Sequence, residues 1–232
     1  MVMVSKSKKT TGASKGKSAN PALLSAWIHK RYLDEDTIKH LALVYKRAKP
    51  YPHLQLADFF NEKKMLAVLK ALCKEHFFVK ESDLFKFKQT ADLKGTQSKV
   101  LKEYIDFLYS KEFVDYMQRL TGHTFTQTVD IAGTLYEDTD FLLCHDDQLD
   151  DRKIAFLSYL TTIKSMHGAS LALYSHTKKG KIFLPKDVVK RIHPTFNKLA
   201  FFEVSPISFH EVEEVTGNTK RIAVGGWYYG KR

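Results

Sequence analysis

Apolar residues in the first half of the chain recur at helical spacing. Asn20-Pro21 reads as a helix start, and Leu23, Leu24, Trp27 and Ile28 carry the pattern toward Leu33. A second helix follows Asp36 as its cap, with Ile38, Leu41, Val44 and Tyr45 on one face and Pro50 and Pro52 beyond its end. Residues 54–60 alternate as a strand does. Asn61 then caps a third helix whose buried stripe is Leu66, Leu69, Leu72 and Cys73. Residues 77–88 read as extended, and 100–120 as one broken helix or two consecutive ones built on Leu101, Tyr104, Leu108, Phe113 and Met117.

Past Gly122 the period shortens to two, with Phe125, Val129, Ile131 and Leu135 separated by polar residues. Further strands are predicted at 141–147, 153–160, 170–175, 198–204, 207–212 and 220–227, parted by turn-rich segments at 148–151 and 216–218, with a helical turn or two at 185–192. Around seven short strands with no long helices between them call for a closed or sandwiched β unit. The expectation is an α+β fold, a β-barrel buttressed by N-terminal helices, forming one domain over residues 21–232.

Composition supports one ample core: 232 residues, 44% of them apolar. No run approaches the roughly 18 consecutive apolar residues that a membrane span needs, so a soluble protein is expected. Two distant cysteines, Cys73 and Cys144, and no apolar leader predict a reducing compartment, nucleus or cytoplasm. The net charge is +11, and Lys6, Lys8, Lys9, Lys15 and Lys17 concentrate it in a tail over residues 1–20 that is too polar to fold. That tail is the one place where direct nucleic-acid contact is expected.

His145 and Asp147 stand two apart, a spacing that puts both side chains on one face of a strand. With His210 they make two histidines and one carboxylate, a set that suits a non-haem Fe(II) oxygenase. The same three residues would also suit zinc-dependent hydrolysis, but no general base is evident and Arg221 is left without a role. Arg221 shares strand parity with Ala223, Gly225 and Trp227. A guanidinium on a face of small residues is costly to bury unless it meets an anion, and a carboxylate co-substrate would satisfy it; the alternative is a surface arginine after a turn. Tyr159 is a second candidate partner for that carboxylate, or a core tyrosine. Trp227 either walls the pocket and touches substrate or packs in the core, and Tyr136 is a candidate for ordering substrate beside the metal. Residues 137–151 hold seven carboxylates and no Lys or Arg, and Glu211, Glu213 and Glu214 follow His210. If both segments border the metal, the acidic lip favours a basic peptide over RNA; otherwise these acids simply decorate turns.

Several longer strings carry a resemblance: Asp83-Leu84-Phe85-Lys86-Phe87-Lys88-Gln89, Leu142-Leu143-Cys144-His145-Asp146-Asp147, Asn197 through Pro206, Ser208-Phe209-His210 and Gly226-Trp227. Over residues 50–230 the chain resembles the Fe(II)- and 2-oxoglutarate-dependent prolyl hydroxylases, within them the ribosomal prolyl 3-hydroxylases. The resemblance implies a double-stranded β-helix (a jelly-roll or cupin-like barrel), with His145, Asp147 and His210 holding Fe(II), Arg221 pairing with the distal carboxylate of 2-oxoglutarate, and Tyr159 supporting it. It implies a dioxygenase that consumes O2 and 2-oxoglutarate, releases succinate and carbon dioxide, is supported by ascorbate (vitamin C), and hydroxylates a proline at C3. The implied substrate is a basic small-subunit ribosomal protein at the decoding centre. Family members carry a second, non-catalytic β-helix domain, and this chain stops at Arg232, so a single catalytic domain acting as a monomer is expected. The competing expectation is a non-catalytic ribosome- or RNA-associated binding protein that retains the fold.

Overall fold

The computed structural model describes residues 21–126, 128–149 and 151–230. The basic tail lies outside them. Five helices occupy the first half of the chain, with three strands among them: α1 (Pro21–Trp27), α2 (Glu35–Arg47), α3 (Glu62–Leu72), α4 (Lys99–Tyr109) and α5 (Lys111–Thr121). Asp34, not Asp36, caps α2, because its carboxylate accepts from the Thr37 N–H at 2.9 Å. The break predicted between α4 and α5 falls at Ser110, which ends one helix in an extended conformation and accepts from the Phe113 N–H to start the next. On α3 the buried stripe is Met65, Val68 and Leu72; of the predicted positions Leu72 is buried and Leu69 packs partly buried against the core, and Leu66 and Cys73 are exposed.

The strands are β1 (His53–Leu56), β2 (Phe77–Ser82), β3 (Phe85–Thr90), β4 (Val129–Tyr136), β5 (Phe141–His145), β6 (Arg152–Tyr159), β7 (Leu171–Lys179), β8 (Ile182–Ile192), β9 (Lys198–Glu203), β10 (His210–Val212) and β11 (Arg221–Tyr229). Three departures from expectation stand out. The extended segment after α3 is a hairpin, β2 on β3. The strand starting at residue 54 stops at Leu56, where the chain turns through Asp58 at φ 47°. Residues 185–192 are not helical: they belong to β8, an edge strand paired with β7, and Pro185 is tolerated there at a register irregularity opposite His176.

All strand pairs are antiparallel, in the order β1-β9-β6-β11-β4-β3-β5-β10-β7-β8, with β2 on β3. β3 joins two halves, pairing with β4 through Lys88 and Gln89 and with β5 through Phe85 and Lys86. The sheet folds over at this junction into the expected double-stranded β-helix. Alternation along β11 sorts its side chains: Ile222, Val224 and Tyr228 join the helices in the larger core, and Ala223 and Trp227 face the barrel interior. β6 obeys the same rule, with Ile154 and Phe156 outward and Ala155, Leu157 and Tyr159 inward. Leu72, Leu101, Tyr104 and Leu108 bury the helices against the outer face, each such side chain contributing about 1.5–3 kcal/mol of burial. Polar ties fix that packing: the Tyr104 hydroxyl donates to Ser158 Oγ at 2.7 Å, and Tyr228 to the Leu108 carbonyl at 2.9 Å.

Candidate metal centre and its cavity

A cavity of about 410 Å³ opens inside the barrel, walled by β5 and β10 on one side and by β6 and β11 on the other. Its size follows from the sequence of β11, where Ala223 and Gly225 leave room between the long side chains Arg221 and Trp227. A Cβ on Gly225 would sit 2.8 Å from Leu157 Cδ2 and 2.9 Å from the Phe156 carbonyl oxygen.

His145 and His210 meet because β5 and β10 pair with these two residues directly opposite. Their rings lie 4.2 Å apart. In each histidine Nδ1 sits 2.8 Å from a main-chain carbonyl two residues earlier, Leu143 O and Ser208 O. A carbonyl only accepts, so Nδ1 carries the proton and Nε2 is the atom left to face Asp147. Asp147 answers with one oxygen to each ring, Oδ1 at 3.4 Å from His145 Nε2 and Oδ2 at 3.4 Å from His210 Nε2. The three donor atoms lie within 4.8 Å of one another.

The prediction brought these residues together by strand parity, but the chain achieves it differently. β5 ends at His145, and Asp147 follows in a loop at φ 60°, the left-handed region that aspartate enters more readily than most residues. The Ser208 hydroxyl donates to the Asp146 carbonyl at 3.1 Å and so ties this loop to the segment before His210.

The electrostatics suit a cation. Burial alone would raise Asp147, but when the rings are also protonated at Nε2 the charge of His210 and the Nε2–H hydrogen bonds from both imidazoles hold its carboxyl well below the usual range. Burial alone would likewise lower His145, and the hydrogen bond and charge of Asp147 raise it instead. An ionised carboxylate facing two imidazole Nε2 atoms draws positive charge to their midst, and a divalent ion competes for that place.

Arg221 lies at the start of β11, directly across from Tyr136 on β4. It is 1% exposed, lines the cavity, and has no carboxylate within 4.0 Å among the described residues. Its Nε donates to the Ala169 carbonyl at 3.1 Å, and its guanidinium carbon lies 5.0 and 5.1 Å from the ring centres of Tyr136 and Tyr159. Its Nη2 is buried without a hydrogen-bond partner, and so is the hydroxyl of Tyr159. A buried charged donor left open costs free energy that a bound anion would recover. The structure thus brings Arg221 and Tyr159 together, with Tyr159 fully buried behind the arginine. Tyr136 also belongs to this arginine end, stacked on Phe87 at 4.9 Å.

Trp227 is on the opposite side of the triad's carboxylate: its indole N–H donates to Asp147 Oδ2 at 2.9 Å. Sequence reasoning missed Arg152, which lies over the Trp227 ring; its only signal was an arginine that opens β6 straight after an acidic turn. Three acids of the segment are taken up by partners, most of them on other parts of the chain. Glu137 pairs with Lys88 and Lys220, Asp138 accepts from the Gly217 N–H, and buried Asp140 accepts from the Glu137 N–H at 2.9 Å. Glu213 pairs with Arg191. Asp146 and Glu211 lie near Cys144 on the cavity wall, and Asp146 already accepts from the Gln148 main-chain N–H at 3.1 Å and its side-chain amide at 2.8 Å; burial, then Glu211 and Asp146, push the Cys144 thiol up to about 11.

Comparison with known proteins agrees with this geometry. Residues 131–229 match the model of the 2OG-Fe(II) oxygenase superfamily. The chain is 39% identical over 184 residues to the prolyl 3-hydroxylase OGFOD1 of Xenopus laevis, covering 78% of this chain and 35% of that one. It is 32% identical over 202 residues to the prolyl 3,4-dihydroxylase OGFOD1 of Ostreococcus tauri, covering 78% and 38%. The chain therefore spans about a third of the length of the curated relatives it matches. In fold it is similar to a Pseudomonas putida prolyl-4-hydroxylase (TM-score 0.64, 15% identity, 83% of this chain and 100% of that one). It is equally similar to a Trichoplax adhaerens prolyl hydroxylase (TM-score 0.64, 18% identity, 87% and 94%). Over residues 131–229 the chain carries a 2OG-Fe(II) oxygenase domain, of the superfamily whose chemistry uses Fe(II), 2-oxoglutarate and dioxygen, and the relatives it resembles are prolyl hydroxylases.

Proposed function

We propose that this chain hydroxylates a prolyl residue, at C3, in a basic small-subunit ribosomal protein, with His145, Asp147 and His210 as the iron ligands and Arg221 and Tyr159 as the receptors of the distal carboxylate of 2-oxoglutarate. The observation that carries the reading is Arg221: a buried cation with an open N–H, on the wall of the cavity that also holds the triad. The donor set fits Fe(II), since two imidazoles and one carboxylate leave positions free for other ligands. Bound iron supplies, with 2-oxoglutarate and dioxygen, the oxidising power for C–H hydroxylation.

The protein's own contribution is placement. The Leu143 and Ser208 carbonyls fix both histidine tautomers, and Asp147 stays ionised between them. The Arg221 Nη2 on the cavity wall and the Tyr159 hydroxyl behind it would donate to the co-substrate's far carboxylate, in a site lined by the apolar Leu157, Leu171, Phe202 and Val212. C3 regiochemistry rests on the names of the relatives, prolyl 3-hydroxylases among them. A cationic substrate is supported by Asp146 and Glu211 near the cavity wall, a smaller acidic lip than the sequence suggested. The Zn hydrolase reading loses ground because it leaves Arg221 open. The test is incubation with Fe(II), 2-oxoglutarate, oxygen and a proline-bearing segment of a basic ribosomal protein, read by succinate release and peptide mass. A gain of one oxygen on proline, dependent on both additions, supports the reading; succinate without peptide oxidation rejects the substrate, and no 2-oxoglutarate binding rejects the enzyme.

A further inference from the structure

We propose that Trp227 and Arg152 form a positioning pair that holds the Asp147 carboxylate in place for the metal, an inference that rests on the iron reading above. The indole has one donor and no acceptor, and it spends that donor on Asp147 Oδ2 at 2.9 Å. Arg152 then covers the ring: its guanidinium carbon is 3.6 Å from the centre of the indole. A cation over the π face withdraws density from the ring and strengthens the N–H as a donor.

The same guanidinium reaches Asp147 by a second route. Its Nη1 lies 3.5 Å from the Asp147 main-chain oxygen and 3.9 Å from Oδ1. On its other side Nε donates to the Tyr229 hydroxyl at 3.4 Å, and that hydroxyl donates to Asp130. Arg152 is thus anchored by β11 at one end and grips both the backbone and the carboxylate of Asp147 at the other. This matters because Asp147 is in the left-handed region, φ 60°, which costs an aspartate free energy and persists only where the surroundings enforce it. With Trp227 on Oδ2 and Arg152 near Oδ1 and the carbonyl, the rotation of the carboxylate and the backbone turn that presents it are constrained together. A tryptophan that merely packed would satisfy its N–H on any carbonyl; this one selects the acidic member of the triad.

The experiment measures Mn(II) alone binding to the full chain by titration calorimetry, without turnover. Trp227→Phe keeps the ring and removes the donor, and its Kd for Mn(II) is expected to rise 10- to 100-fold, the usual effect of losing an outer-shell partner. Arg152→Met is expected to weaken binding several-fold, with Arg152→Lys recovering part of the loss because a cation still covers the ring. Mn(II) should also change tryptophan emission in the wild type and not in Trp227→Phe, since the other tryptophan, Trp27, is buried in the helical core. Wild-type Mn(II) affinity in Trp227→Phe overturns the positioning role while leaving the iron reading intact. If the wild type itself binds no Mn(II), the iron reading falls and this proposal with it. Should Trp227→Phe not fold, the Arg152 series decides, and equal affinity across it overturns the proposal.

Discussion

Replacing Arg221 by Met tests what the buried guanidinium is for. Among the described residues Arg221 makes one hydrogen bond, Nε to the Ala169 carbonyl, rests between two tyrosine rings, and leaves Nη2 unpaired. Methionine gives up the bond, worth about 1.5–3 kcal/mol for a charged donor, and about 0.5–2 kcal/mol of cation–π attraction per ring. It also removes a buried, unpaired charge whose desolvation costs several kcal/mol. These effects nearly cancel, so unfolding in urea should shift by no more than about 1–2 kcal/mol in either direction. Binding of 2-oxoglutarate is different, because there the arginine gains its only carboxylate. Truncating one partner of a buried, hydrogen-bonded charge pair costs about 2–5 kcal/mol, or roughly 30- to 4,000-fold in Kd. The assay pairs urea denaturation of the free protein with calorimetric titration of 2-oxoglutarate in the presence of Mn(II). Loss of several kcal/mol of stability with 2-oxoglutarate affinity unchanged would make Arg221 a structural residue and not an anion receptor.

Other perturbations follow from the same structure. Asp147→Gly should abolish Mn(II) binding and leave the unfolding free energy within about 1 kcal/mol, because glycine adopts the φ of 60° at this position without strain; a large stability loss would contradict this. Gly226→Ala should destabilise by more than about 3 kcal/mol or prevent folding, since its Cβ would sit 1.6 Å from the Asp130 carbonyl oxygen, and soluble protein with a wild-type denaturation midpoint would show otherwise. Tyr104→Phe should cost about 1–2 kcal/mol in urea through the lost bond to Ser158 in the buried layer between α4 and β6. Glu137 has its carboxyl lowered by Lys220 and then Lys88, so it stabilises the fold above about pH 4.5 and the contribution is lost as pH falls through its lower folded value. Glu137→Gln should therefore flatten the acid limb of stability against pH, by less than about 1 kcal/mol for a partly exposed group, and an unchanged limb would count against the pairing.

The inner face of β11 was legible in the sequence because alternation is strict there: the Arg221, Ala223, Gly225, Trp227 face is the one that lines the cavity. His145 and His210 were legible as a candidate pair, though their meeting depends on the β5–β10 register, which no local pattern encodes. Asp147 was placed on the correct side for a different reason, since its left-handed turn, not strand alternation, brings it round. β8 was misread because Pro185 argues against a strand except at an edge, and edge position is a property of the assembled sheet. The α3 stripe differs from the predicted one because Met65 and Val68, not Leu66, meet the core in three dimensions. Arg152 escaped notice because its role depends on the ring of Trp227, 75 positions away in the chain. The acidic segment misled in degree, since composition does not show that Glu137, Asp138 and Asp140 find partners nearby.

The most direct test of the central claim, that the triad and Arg221 form one Fe(II) and 2-oxoglutarate site, is succinate production from 2-oxoglutarate under oxygen with and without added Fe(II), for the wild type and Asp147→Ala. Fe(II)-dependent succinate is expected from the wild type and background levels from the variant. Equal succinate from both proteins, or none from a wild type loaded with Fe(II) and its proline-bearing substrate, would contradict that claim.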